Sequence, residues 1–400
     1  MTDAVDLVDP GTYAAGIPHE VFRSLREQDP VSWRAAGYWA VTRYDDSVAV
    51  LKTPQIFSSW RGGALFDDPP PEFLAKLREN MLNRDPPEHT ALRRLVNHAF
   101  SPRRLAALEA HIAEYAQSLV DRVIERGRCD FAAEIAGEMP LSVICEILGV
   151  PLEDRQPLYA LTARMLSNEH PDRAEAFRDA MAAAAELRAY GAALEVRKRA
   201  VPGDDLATSL LHAELDGRRL HTGEFQAFFM LLFNAGAETT RSLLCHGLDL
   251  LLDRPELQAR LRGDLELLPH AIEEMLRYEP PVIYFRRTAT RDTELGGRRI
   301  AEGDKVVVFF PAANRDPRAF EEPDRFDVDR WPNHHLAFGI GPHFCLGAPL
   351  ARIESKHVFR EVLTRLTGIE RAAPMVRARP SFTRGVRSLE IRFAPSSISR

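Results

Sequence analysis

The stretch HLAFGIGPHFCLGAPLAR, residues 335–352, delivers Cys345 from a loop with glycines at 339, 341 and 347 and a proline at 342. The chain then enters a helical pattern, and a helix N-terminus favours thiolate over thiol. Glycines let backbone pass close to a flat ligand, and N–H groups near the turn can hydrogen-bond the sulfur. A haem iron with a cysteine axial ligand requires these features, whereas a packed structural thiol requires none of them.

A second constellation is AGAETT, residues 235–240, inside an otherwise apolar helical stretch. Gly236 there costs about 1 kcal/mol relative to alanine, which points to a ligand needing the space. Glu238 and Thr239 put an acid and a hydroxyl in one turn, and a buried carboxylate is costly without work or a partner such as Arg241. In EEMLR, Glu274 and Arg277 stand three apart and share a helix face. In DPPEHTALRRL, residues 85–95, His89 and Arg93 stand four apart, cations of the kind that haem propionates need as charge-assisted partners.

The elements that must position these groups follow from periodicity. VSW and YWAVTRY (31–44) alternate as strands around a short turn, and from residue 69 onward about two hundred residues read as helix. Breakers at Pro102, Pro140, Pro151, Pro157 and PGDD (202–205) divide them, the last predicting a helix N-cap. The stretch Thr222 to Leu252 predicts one helix of about 45 Å, long enough to cross a domain. YFRRTATRD, a Gly-Gly turn at 296–297 and DKVVVFFPAANRD predict strands, and residues 380–393 read as a hairpin. No stretch reads as a linker, so the expectation is one domain, 1–400, mainly α with minor antiparallel β.

Hydrophobic residues make up 45% and charged residues 28%, the balance of a soluble globular protein. A formal net charge of -6 argues against a nucleic-acid partner. The N-terminal residues lack a basic and apolar leader, and no apolar run is long enough for a bilayer, so the expected setting is cytoplasmic with no membrane association. Cys129, Cys145, Cys245 and Cys345 form no CxxC pair, which excludes common zinc and iron–sulfur spacings and leaves the first three as packed thiols.

FGIGPHFCLG closely resembles the haem-binding loop of the cytochrome P450 monooxygenases, and the other motifs occur in that family's order over essentially the whole chain. The resemblance implies a triangular helical bundle with small sheets, and haem b with Cys345 as axial thiolate and metal ligand. It implies propionate contacts from His89, Arg93, Arg287 and His343, with Arg286 on the other side of its strand. It gives Glu238 and Thr239 the catalytic role of delivering two protons to the dioxygen reduced at the haem. It makes Glu274 and Arg277 a structural pair, completed by Arg325 in PDRF or by Arg330.

The implied reaction is hydroxylation or epoxidation of a hydrophobic small molecule, with one oxygen atom inserted and the other leaving as water. The chain carries no flavin, dinucleotide or iron–sulfur fingerprint, so the expected electron donors are a small acidic ferredoxin and its reductase. Arg93, Arg94, His98, Arg103, Arg104, Arg352 and Lys356 are the candidate docking patch. Trp60, Leu65, Phe66, Phe233, Ile283, Tyr284, Phe285 and Phe382 are the candidate pocket walls, and they imply an apolar ligand. The surrounding sequence resembles bacterial members that oxidise steroids, terpenoids or long alkyl chains. Alternatives are a tailoring oxidase of polyketide or other natural-product intermediates, a cysteine-nucleophile enzyme, and a haem-binding sensor or carrier. The last two leave the Glu238–Thr239 pair without a purpose.

Overall fold

In the computed structural model, residues 5–68, 70–97, 100, 102–166, 173–215, 217–378 and 382–395 are described. The helices that bear on the site are α1 (Tyr44–Lys52), α2 (Glu88–Asn97), α3 (Pro102–Ile124), α4 (Glu138–Ile147), α5 (Leu152–Leu166), α6 (Arg173–Ala200), α7 (Thr222–Leu252), α8 (Leu268–Tyr278) and α9 (Ala348–Arg365).

The long helix α7 starts where its sequence can cap it. The His221 ring accepts from the Glu224 N–H, and the Glu224 carboxylate accepts from the His221 N–H, a reciprocal pair that satisfies two donors at the helix start. The helix is apolar almost all round because it is surrounded: α4, α6, α8 and α9 all pack on it. The PGDD segment caps a helix as its residues predict, with the Asp205 side chain accepting from Thr208 N–H at 2.8 Å.

Two apolar cores meet on α7. One gathers Phe225, Phe229, Phe233 and Ala237 with Leu141, Ile144, Leu187 and Leu206. The other gathers Leu243, Leu244, Leu248 and Leu251 with Leu119, Met275, Phe359 and Val362. The polar turn at Glu238–Ser242 therefore falls at their seam, where a buried polar group displaces least apolar packing.

The main sheet has strands β1 (Val31–Arg34), β2 (Tyr38–Val41), β3 (Phe57–Ser58), β5 (Tyr284–Ala289) and β6 (Lys305–Phe309); β4 (Arg128–Asp130) belongs elsewhere. Their order is β1-β2-β6-β5-β3, antiparallel except for the parallel pairing of β6 with β2. The expected C-terminal hairpin does not form. After β7 (Thr367–Arg371) and β8 (Val376–Arg377), β9 (Val386–Ser388) pairs with β8, while β10 (Glu390–Ala394) pairs with β7 and β4. Leu389 separates the two strands, and its N–H is bound to the Asp130 carboxylate, so the chain changes sheets instead of turning back. Among the described residues no helix is long and apolar enough to cross a membrane.

Candidate active site

The Cys345 loop is held by backbone. Cys345 N–H donates to Phe338 O at 2.9 Å, and Phe344 N–H donates to Gly341 O at 3.0 Å. Gly339 and Gly341 take φ of +68° and +79°, the left-handed region that other residues enter at a cost. Gly341 has a second reason that differs from close approach to a ligand: a Cβ there would lie 2.8 Å from the Leu51 carbonyl at the end of α1. The N–H groups of Gly347 and Ala348, at the start of α9, direct hydrogen bonds to the sulfur. Burial pushes the Cys345 thiol up, and those N–H groups with Arg93 and Arg352 pull it back. The other cysteines are packed thiols: burial pushes Cys129 and Cys145 up to about 12, and Cys245 higher still.

Around the loop the structure gathers His89, Arg93, Arg287 and His343. The two imidazole centroids are 4.1 Å apart. His89 Nδ1 and His343 Nε2 are buried without a hydrogen-bond partner among the described residues. Burial, with Arg93 beside His89 and Arg287 beside His343, lowers these imidazoles to about 4 and about 2, so both are neutral. Arg287 is 3% exposed and donates to Arg286 O at 2.8 Å; burial lowers it to about 10. Arg93 donates to Asn97 Oδ1 at 2.9 Å. Among the described residues neither arginine has an ion-pair partner, a costly state for Arg287, which is buried, and less so for half-buried Arg93. Arg286 points to the other face of β5, where it binds Asp68 and Phe66 O.

Two bare imidazole nitrogens and two guanidiniums without anions, next to a thiol in a glycine-rich loop, fit a flat cofactor that carries carboxylates. A haem supplies what each group lacks: carboxylate acceptors for the cations and a metal for the sulfur.

On α7, Thr239 Oγ1 donates to Ala235 O at 2.6 Å, and Ala235 is exposed to open space. Gly236 makes room for protein and not for a ligand, since a Cβ there would meet Ile144 Cδ1 at 2.5 Å. Glu238 lies 3.8 Å from Arg241, and Arg241 in turn donates to the Tyr159 hydroxyl and to Arg387 O. Burial raises the Glu238 carboxyl, while Arg241 and a hydrogen bond from the Val386 N–H lower it. The acid thus has a partner without being a plain surface pair.

The Glu274–Arg277 pair is fully buried, with two hydrogen bonds of 2.7 Å. Arg277 also donates to the carbonyls of Asn314, Pro323 and Arg325. The third member is Arg330, whose Nε reaches Glu274 at 3.3 Å. The Arg325 side chain is exposed and paired with Glu322, so it contributes only its carbonyl. Asn333 and the Asp327 N–H complete the carboxylate's shell. Sequence spacing gave no sign of these two, since the Asp327 donor is backbone and carries no residue signature, and the Asn333 side-chain amide lies 59 residues from Glu274.

Of the expected pocket walls, Phe233, Ile283 and Tyr284 are buried in packing cores. Phe66, Phe285 and Phe382 are half-buried, and Trp60 and Leu65 are exposed. Val282, at the start of the 282–285 run, is half-buried and bridged to Thr383. In the expected docking patch, Arg104 faces Asp204, Arg352 binds Glu273 and Lys356 binds Glu109. Arg94 and Arg103 are exposed and have no ion-pair partner among the described residues; His98 lies outside them.

The cytochrome P450 family model matches residues 16–370. The chain is 35% identical to a steroid C26-monooxygenase of Rhodococcus jostii, over 99% of this chain and 86% of that protein. It is 38% identical to a methyl-branched lipid omega-hydroxylase of Mycobacterium tuberculosis, over 92% of this chain and 90% of that protein. The crystal structure of the Mycobacterium marinum cytochrome P450 CYP268A2 with pseudoionone superposes with a TM-score of 0.90 at 36% identity, covering 98% of this chain and 99% of that one. The loop chemistry, the unpaired cations and these likenesses agree: the chain belongs to the cytochrome P450 family and is a monooxygenase whose cofactor is haem b, held by a cysteine thiolate.

Proposed function

We propose that the protein hydroxylates a methyl-branched aliphatic chain, such as a sterol side chain, an isoprenoid or a branched lipid, at or near its end. C26 of a steroid is the terminal methyl of a branched tail, so the two named relatives share one chemistry, oxidation of the far end of a branched alkyl chain. The half-buried walls Val282, Phe285 and Phe382 offer such a tail apolar contact. The haem, when bound, supplies dioxygen activation, in which two electrons and two protons leave one oxygen atom in the substrate and one in water.

The chain's residues have proposed roles around that chemistry. Cys345 ligates the iron. Arg93, Arg287, His89 and His343 hold the propionates. Glu238 and Thr239 deliver protons, and the observation that carries catalysis over haem carriage is their acid–hydroxyl turn at the seam of two apolar cores. Electrons are proposed to come from a ferredoxin docking over the unpaired charges of Arg94 and Arg103, a smaller patch than the sequence suggests. A cytoplasmic setting fits four free thiols.

The test is an absorbance titration of the ferric protein with cholestenone, an iso-branched fatty acid, pseudoionone and straight-chain palmitate. Saturable changes with the branched ligands, tighter than with palmitate, are expected. Equal or tighter binding of palmitate would remove the branched-chain reading.

A further inference from the structure

The polar turn of α7 is touched by a segment almost 150 residues away in sequence. At 382–386 the chain makes a turn pinned to the segment after α8: Ile283 N–H donates to Phe382 O, Arg384 N–H donates to Pro281 O, both at 2.8 Å, and Val282 bridges Thr383. Arg384 is 6% exposed and ion-paired with Glu279, which follows α8. His246, two turns along α7 from Glu238, meets Arg384 O through Nε2 at 3.1 Å.

This turn places Gly385 directly against the acid. A Cβ on Gly385 would lie 2.7 Å from Glu238 Oε1 and 3.1 Å from Ala378 Cβ. Gly385 does not adopt the left-handed backbone, so alanine is conformationally allowed, and space is what calls for glycine. The next residue, Val386, donates its N–H to the same carboxylate. Phe382, on the opposite end of the turn, is a proposed pocket wall.

We propose that the 382–386 turn positions the acid for proton delivery: Gly385 leaves the space in which the Glu238 carboxylate sits, and Arg384 locks the turn in place through Glu279 and His246. This rests on the reading of Glu238 as a proton-delivering acid. Gly385 and Arg384 are positioning residues, since neither needs to touch substrate or haem. With alanine at 385, the carboxylate must retreat by about 0.8 Å to restore an ordinary contact of about 3.5 Å, which takes it off the Val386 N–H.

The experiment compares haem-loaded wild type, Gly385→Ala, Glu238→Gln and the double variant, by crystal structure and by peroxide released per NADPH with cholestenone bound. In Gly385→Ala the carboxylate is expected to be displaced, and peroxide yield to rise by at least half the increase seen in Glu238→Gln. The double variant is expected to release no more than Glu238→Gln alone, because both changes act through one group. An undisplaced carboxylate, or effects that multiply in the double variant, would overturn the proposal. If Glu238→Gln itself leaves peroxide yield unchanged, the acid reading fails, while a displaced carboxylate in the Gly385→Ala crystal would still establish the contact. Arg384→Gln and Arg384→Lys give an independent arm in case Gly385→Ala does not fold. Gln is expected to raise peroxide and Lys to restore coupling; equal behaviour of the two would refute the lock.

Discussion

Replacing Arg287 by methionine separates what the haem needs from what the chain needs. Arg287 is 3% exposed and has no ion-pair partner among the described residues. Its fall from 12.5 to about 10 is a bias of roughly 3 kcal/mol against the charged form. Against the haem-free chain, Arg287→Met removes that burden and loses one hydrogen bond to Arg286 O, worth about 1 kcal/mol. The haem-free fold is therefore expected to be unchanged or stabilised by up to about 2 kcal/mol, read as a urea midpoint. The holoprotein loses a charged hydrogen-bond donor to a propionate, about 1.5–3 kcal/mol, so haem passes to excess apomyoglobin roughly 10 to 150 times faster. Arg286→Met, on the opposite face of β5, is the control and should release haem at close to the wild-type rate. Equal haem loss from both variants, or wild-type loss from Arg287→Met, would refute the reasoning.

Further outcomes follow from the same geometry. Arg277→Met takes the bidentate partner from the buried Glu274 carboxylate, leaving it Arg330, Asn333 and the Asp327 N–H, and is expected to cost about 3 kcal/mol, while Arg325→Ala stays within about 0.5 kcal/mol; urea unfolding of both checks this. His246 is buried and lowered to about 3 against an ordinary 6.5, so the unfolded chain binds the proton first and stability falls with pH across that window. Between pH 6 and 5 the wild type should lose roughly 1 kcal/mol more than His246→Gln, and parallel losses would contradict it. Thr239→Ala should lower product per NADPH about tenfold, because the hydroxyl proposed to pass a proton, held in the structure by the Ala235 carbonyl, is lost. Arg94→Glu with Arg103→Glu should slow reduction by ferredoxin and flatten its salt dependence, measured by stopped flow.

What could be read from sequence was what local spacing encodes. The 31-residue helix and the strands at 31–44 follow from period and breaker signals within a few residues, whereas the Glu274–Arg277 spacing alone reads as a solvated pair and only the family resemblance pointed to the structural role that its full burial fits. The cysteine loop was legible because positive φ and a helix start demand particular residue types. The errors lie where contact is long-range. Gly236 and Gly341 were read as space for a ligand, yet they admit Ile144 and the Leu51 carbonyl. The 380–393 segment has the pattern of a hairpin, but Asp130 captures Leu389 and sends the strands to different sheets. Arg325 and Arg330 are equivalent by spacing, and only the fold shows which reaches Glu274. Phe233 and Tyr284 match pocket walls in composition, but their neighbours bury them in core.

The most direct test of the central claim is turnover under heavy-isotope dioxygen. Holoprotein, ferredoxin, ferredoxin reductase and NADPH are incubated with cholestenone or an iso-branched fatty acid, and products are located by mass spectrometry. One labelled oxygen atom at or next to the branched terminus is predicted, at a higher rate than for palmitate. Products without label, or labelled only far from the chain end, would contradict it.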